Sequence, residues 1–174
     1  MNVAEIKLRA QVFSPTTSPA DAAAARAWTR LLRAHAATAR RLSSNLQAAH
    51  GLALNDYEAL DLLARADGRR LKRVELAHRL ALTPSGVTRL LEGLEAAGLV
   101  ARASCPADRR VTYAELTDEG AARLEAASCA HVASIRALLA EHLSDEEVDE
   151  LAELLGKLPG TADAEECAVQ PTFG

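Results

Sequence analysis

The chain has 174 residues, 49% hydrophobic and 25% charged, enough for one domain of ordinary size with a real core. Aromatic residues reach only 3% while alanine and leucine dominate, a balance that favours helices. No run approaches 18 uncharged apolar residues, which excludes a membrane-spanning helix. Cys105, Cys129 and Cys167 are scattered and form no CxxC, so neither a disulfide framework nor a structural zinc site is expected.

Glu5, Lys7 and Arg9 interrupt the N-terminal apolar residues, so no secretory signal is expected and the cytoplasm is the default compartment. A short helix is allowed at 3–10. Residues 11–20, QVFSPTTSPA, are turn-prone, with Pro15 and Pro19 set against a stable helix. From Asp21 to about Ala49 there is no Gly or Pro. Trp28, Leu31, Leu32, His35, Ala39, Leu42 and Leu46 recur at threes and fours, one face of a long helix that Gly51 ends.

Asn55 with Glu58 three residues on predicts a capped helix to about Ala66 that buries Ala59, Leu60 and Leu63. DGRR reads as a turn. Arg73–Leu80 is a short helix with Val74, Leu76, Ala77 and Leu80 available inward. Thr83 caps the next helix, Pro84 opens it where its missing N–H costs nothing, and Gly98 closes it. Its apolar face is Val87, Leu90, Leu91 and Leu94, which turns Ser85 and Arg89 outward with Thr88 at the flank.

Leu99–Ala103 and Val111–Leu116 are short strands around the turn 104–110, a ribbon that must lean on the helices. Thr117 or Asp118 caps a long helix to about Glu141, with Leu124, His131, Ile135, Leu138 and Leu139 on its apolar side. Ser144 and Glu147 form a capping box for a last helix carrying Val148, Leu151, Leu154, Leu155 and Leu158. Pro159-Gly160 ends it, and the rest reads as a loose acidic tail.

The net charge of −4 hides an asymmetry. Arg69 to Arg110 hold nine Lys/Arg against four acids, a local net of +5, so the remainder carries −9. A compact basic block in an acidic chain is the footprint expected of a polyanion-binding face, though a merely solvated face has the same composition.

Two short helices joined by a tight turn, the second polar at its outward N-terminal half, form a helix-turn-helix. The second helix fits a major groove, where Ser85, Thr88 and Arg89 would reach base edges. Gly86 beside them has no side chain to hold the backbone off DNA. The basic ribbon behind that helix makes the motif winged, and a positive wing tip suits a narrowed minor groove. The fold class expected is therefore mainly α (α+β), a winged helix-turn-helix with long N- and C-terminal helices for dimerisation. In domain terms, 53–117 is the DNA-binding domain, 21–52 with 118–158 the helical dimerisation region, and 1–20 and 159–174 are flexible ends.

The run RVELAHRLALTPSGVTRLLEGLEAAGLVARASCPADRRVTYAELTDEG, residues 73–120, resembles the MarR (multiple antibiotic resistance regulator) family of winged helix-turn-helix repressors. The likeness extends from about Ala24 to Leu158. Its specific parts are the ELA helix, the SGVTRLLEGLEAAGLV segment, and the Asp-Arg-Arg wing followed by Leu116, Thr117 and Gly120. The resemblance implies a homodimer on a pseudo-palindromic operator, a repressor often released by a small phenolic or anionic ligand. It also gives Ser85, Thr88 and Arg89 as groove contacts, and Gly86 beside them and Arg73 of the basic block join the expected DNA-binding set. Arg110 would enter the minor groove, Asp108 would orient it, and Arg109 would meet phosphate. The family's cavity lies between dimer helices and DNA-binding lobe, where Trp28, His35, Tyr57 and Glu58 are the polar or aromatic candidates. Plain packing remains the alternative for Trp28 and His35.

Independently of the resemblance, the first, fifth and sixth helices carry more apolar face than the small wing domain can cover, and a two-fold assembly supplies two recognition helices. Cys105 beside Arg102, Arg109 and Arg110 is a candidate redox thiol, since nearby cations lower a thiol pKa. Peroxide-sensing relatives keep their reactive cysteine near the start of the first helix, and this chain has none there. His131 and His142 are eleven residues apart, too far to share a metal, and no cofactor is expected. No GxGxxG, Walker or HExxH pattern supports an enzyme. A helical scaffold that binds no DNA is the rival class, and it leaves the outward Ser85/Arg89 face without a purpose.

Overall fold

The computed structural model describes residues 18–104 and 112–161. The chain divides after Arg40 into two compact units. Helix α1, Pro19–His50, begins in the first and ends in the second. Pro19, expected to oppose a helix, stands instead at its first position, where no N–H is needed. Ser18 and Asp21 close the start reciprocally: the Asp21 N–H donates to Ser18 Oγ and the Ser18 N–H to Asp21 Oδ2, each at 3.1 Å. The apolar stripe predicted along this helix is unevenly used. Leu46 is buried, whereas Trp28 and Leu32 are exposed.

The second unit continues with α2 (Leu54–Arg65), a 3-10 turn (Asp67–Arg69) and β1 (Arg70–Lys72). Then follow α3 (Arg73–Arg79), α4 (Pro84–Ala96), β2 (Val100–Ser104) and β3 (Thr112–Leu116). Two helices close it, α5 (Asp118–Ala140) and α6 (Asp145–Gly156). The core is leucine-rich: Leu60, Leu63, Leu76 and Leu91 are wholly enclosed, joined by Leu52, Leu94, Leu99, Leu116 and Leu124.

Three local expectations are corrected. Helix α2 is capped at Ala53, not Asn55; Asp56 Oδ2 accepts from the Ala53 N–H at 2.8 Å, so the carboxylate three residues beyond the cap does what Glu58 was expected to do. DGRR is more than a turn, because Arg70–Lys72 pair with β3 and complete a three-stranded antiparallel sheet in the order β1-β3-β2. A three-residue strand is too short to leave an alternating signature. Val74, expected inward, is 82% exposed, since a helix of seven residues has room for only one buried face, that of Leu76 and Ala77.

Both helices of the motif end in the same hydrogen-bonded turn. After α4 the Gly98 N–H reaches the Glu95 carbonyl and the Leu99 N–H the Leu94 carbonyl, with Gly98 at φ +73. After α3 the Ala81 N–H reaches His78 and the Leu82 N–H reaches Ala77, with Ala81 at φ +51. This is a glycine-type helix stop made by alanine. A left-handed alanine costs roughly 1 kcal/mol, so the tight turn between α3 and α4 is held against its own backbone preference by the leucines around it.

The wing is pinned to α5 at one point. The Thr117 N–H donates to the Leu99 carbonyl, Thr117 Oγ1 donates to the Gly98 carbonyl at 2.8 Å, and the same oxygen accepts from the Gly120 N–H at 2.9 Å. A Cβ on Gly120 would lie 2.1 Å from the Leu99 carbonyl oxygen, which is backbone and cannot step aside. Gly120→Ala is therefore expected to lower the denaturation midpoint by about 1–3 kcal/mol of stability, as overpacking does. Gly93→Ala, where nothing lies within 4 Å of the added carbon, should raise it by up to about 1 kcal/mol through helix propensity alone.

Candidate nucleic-acid interface

Helix α4 is built to present its first turns. Thr83 Oγ1 accepts from the Gly86 N–H at 3.1 Å, and Pro84 opens the helix. Val87, Leu91 and Leu94 anchor the inner face, so Ser85 and Arg89 stand exposed on the other. Ser85 Oγ lies 3.2 Å from Thr83 Oγ1. Among the described residues no hydrogen bond or ion pair holds Arg89. Gly86 is half-buried, and a Cβ there would sit 3.2 Å from Thr83 Oγ1 and 3.6 Å from Leu82 Cβ. Its lack of a side chain thus also serves the cap itself.

Arg73, at the start of α3, reaches across the motif: its Nη2 donates to Thr88 Oγ1 at 2.8 Å, and Thr88 Oγ1 donates in turn to the Pro84 carbonyl at 2.8 Å. Arg73 on α3 and Ser85, Gly86, Thr88 and Arg89 on α4 are thereby collected on the two helices of the motif. Asp108, Arg109, Arg110 and Cys105 lie outside the described residues.

The basic block is less available than a count of cations implies. Arg79 is paired with Glu75 at 2.8 Å and Arg69 with Asp118 at 3.3 Å. The Arg70 guanidinium sits over the Tyr113 ring, 5.3 Å from its centre. Lys72 on β1 and Arg102 on β2 remain exposed on the two strands flanking β3. Sequence reading assigned Lys72 no role beyond its charge and Arg102 only that of a cation beside Cys105; Lys72 ends β1, while Arg102 lies in the middle of β2. Of nine cations in the block, the described ones facing solvent with no such partner are Lys72, Arg89 and Arg102.

The four residues expected to line a ligand cavity fall in both units. Trp28, 62% exposed, and His35, also exposed, belong to the first. In the second, Glu58 is exposed and Tyr57 is half-buried where α2 meets α5. The Tyr57 ring lies 4.4 Å from the His131 ring, and its hydroxyl donates to Ser128 Oγ at 3.3 Å. Sequence reading placed His131 on the apolar side of α5, and there it is buried, with Nδ1 lacking a hydrogen-bond partner among the described residues. Burial lowers the imidazole pKa, and the Asp61 carboxylate opposes the shift only in part. Among the described residues no three His, Cys, Asp or Glu side chains gather to hold a metal ion, and no helix is long and apolar enough to cross a membrane.

The His131 shift gives a pH dependence of fixed sign. The unfolded chain takes up the proton first, near the ordinary value of 6.5, because only the folded chain disfavours the charged ring. Stability is therefore whole above that value and declines as the pH falls below it. Urea midpoints measured between about pH 7 and 5 should show this slope, and His131→Leu should flatten it.

Residues 50–111 match the model of the MarR family. Over 111 residues the chain is 40% identical to the HTH-type transcriptional repressor YetL of Bacillus subtilis (strain 168), covering 64% of this chain and 66% of that protein. Over 109 residues it is 30% identical to the HTH-type transcriptional regulator MhqR of the same organism, covering 63% of this chain and 73% of that one. Its fold is similar to that of Sco3205, a MarR family transcriptional regulator from Streptomyces coelicolor solved in complex with DNA. The TM-score is 0.68 and the identity 32%, over 74% of this chain and 81% of that one. The aligned stretch thus spans about two thirds of the curated relatives' length.

Proposed function

The chain belongs to the MarR family of transcriptional regulators, and we propose that it acts as a homodimeric repressor in the cytoplasm, seated on a pseudo-palindromic operator. The observation that carries this reading is the exposed Ser85/Arg89 face of α4, capped and anchored so that polar groups point to solvent while three large apolar side chains fix its back. Ser85 and Arg89 read base edges, Thr88 joins them, and Lys72 and Arg102 meet phosphates on either side. Arg110 enters the minor groove with Asp108 orienting it, and Arg109 contacts the backbone.

Two helices supply the dimer surface in this reading. Leu151 and Leu154 on α6 and Leu158 just beyond its end are 37%, 53% and 44% exposed, and Val132 on α5 is exposed as well. A groove of about 230 Å³ runs between the two helices, lined by Val132, Ile135, Leu139 and Val148. Exposed apolar side chains gathered on two neighbouring helices support this surface as the one a second copy would cover. A small phenolic or anionic effector is assigned to relieve repression. Tyr57, half-buried beside His131 and Ser128, is the candidate contact in the second unit.

Binding is measured with duplex DNA from the region upstream of the protein's own gene. Arg89→Ala and Arg110→Ala should each weaken specific binding by about 1–3 kcal/mol, roughly ten- to a hundred-fold. Sedimentation should find both variants as dimeric as the unaltered protein. If they bind the operator normally, the assigned contacts are wrong; if the unaltered protein selects no sequence, the repressor reading itself falls. Leu154→Asp with Leu158→Asp should in turn shift the dimer toward monomer in sedimentation equilibrium, and an unchanged mass would remove α6 from the interface.

A further inference from the structure

Thr88 sits on the DNA-facing helix with its hydroxyl already committed. That oxygen carries one proton and two acceptor lone pairs. Its proton is directed to the Pro84 carbonyl one turn back, at 2.8 Å, and one lone pair receives Nη2 of Arg73, also at 2.8 Å. What is left for another molecule is one acceptor lone pair and the methyl group. A threonine held this way cannot offer a donor without breaking its bond to Pro84. Donation from the Arg73 guanidinium polarises the hydroxyl and strengthens that bond, so that loss of Arg73 makes the proton easier to turn toward the groove.

The partners of such a group in a major groove are restricted. Adenine N6 and cytosine N4 are donors that the free lone pair can accept, and the thymine methyl is an apolar match for Cγ2. The guanine edge presents O6 and N7, both acceptors, which face a lone pair with nothing to share. We infer that Arg73 is a positioning residue for operator specificity: through Thr88 it fixes an acceptor-plus-methyl surface that excludes guanine at the base this residue meets. The inference rests on the reading of α4 as the recognition helix. It changes the role of Arg73, expected from the sequence to contact DNA itself, whereas its guanidinium is half-buried between α3 and α4.

The bond also makes mechanical sense. Arg73 is the first residue of α3 and Thr88 lies on the second turn of α4, so the contact ties the two helices of the motif across a turn that contains a left-handed alanine. One charged hydrogen bond thus sets both the approach of α4 and the direction of its threonine hydroxyl.

The test is competitive selection from a pool of duplexes randomised across the operator, with base frequencies compared for the unaltered protein, Arg73→Ala, Thr88→Val and the double variant. Binding to one fixed operator is measured alongside from 50 to 300 mM salt. Arg73→Ala should admit guanine about five-fold more often at one position per half-site, as expected of one hydrogen bond's worth of discrimination. Other positions should stay unchanged, as should the slope of log K against log salt. In the Thr88→Val background, Arg73→Ala should have no further effect on that position. A uniform loss across all sequences with the slope reduced by about one would make Arg73 a phosphate contact and overturn the inference. An unaltered base profile in Arg73→Ala would overturn it too. Failure of the unaltered protein to select any sequence would instead remove the recognition-helix reading beneath it.

Discussion

The close approach of Gly120 to the Leu99 carbonyl is the contact on which the helix-turn-helix and its sheet are assembled. Leu99 follows the stop of α4, and Gly120 lies in the first turn of α5, so the contact joins the end of α4 to the start of the helix that leads away from it. Thr117 reinforces it with three hydrogen bonds, one of them its own helix cap. Only a residue without Cβ allows two backbones this near. The strands between these points, β2 and β3, are consequently a closed ribbon rather than a free hairpin, and their sheet is completed by the short β1 immediately before α3.

Electrostatics then distinguishes structural cations from available ones. Arg69, Arg70 and Arg79 spend their charge on Asp118, on the Tyr113 ring and on Glu75, contacts that are exposed and worth little each in stability. Arg73 turns inward to Thr88. Among the described residues of the block, Lys72, Arg89 and Arg102 are left exposed without such a partner, so the described positive surface is narrower than a local net of +5 conveys. Such narrowing favours a fixed docking register over diffuse attraction.

Much of this was legible in the sequence because local rules carry it. Thr83-Pro84, Thr117 and Ser144 with Glu147 announce helix starts by chemistry that needs no tertiary context, and all three starts form as expected. Val87, Leu91 and Leu94 follow from a 3.6-residue period, and with them the outward direction of Ser85 and Arg89. The misses share a cause. Ala53 displaces Asn55 as the cap because Asp56 supplies the carboxylate and Ser43 Oγ, from the preceding helix, accepts from the Leu54 N–H at 3.2 Å. β1 exists only because β3 offers it a partner.

Sequence alone settled the order of the helices, the polar face of α4 and the family to which the 73–120 motif points, since these depend on residues close in the chain. The fold supplied the rest. It brought Arg73 onto Thr88 across fifteen positions, set the Tyr57 ring against His131, and gave Gly120 its reason by placing a carbonyl where a side chain would be. Those relations join residues that only packing brings together, and no periodicity or spacing encodes them.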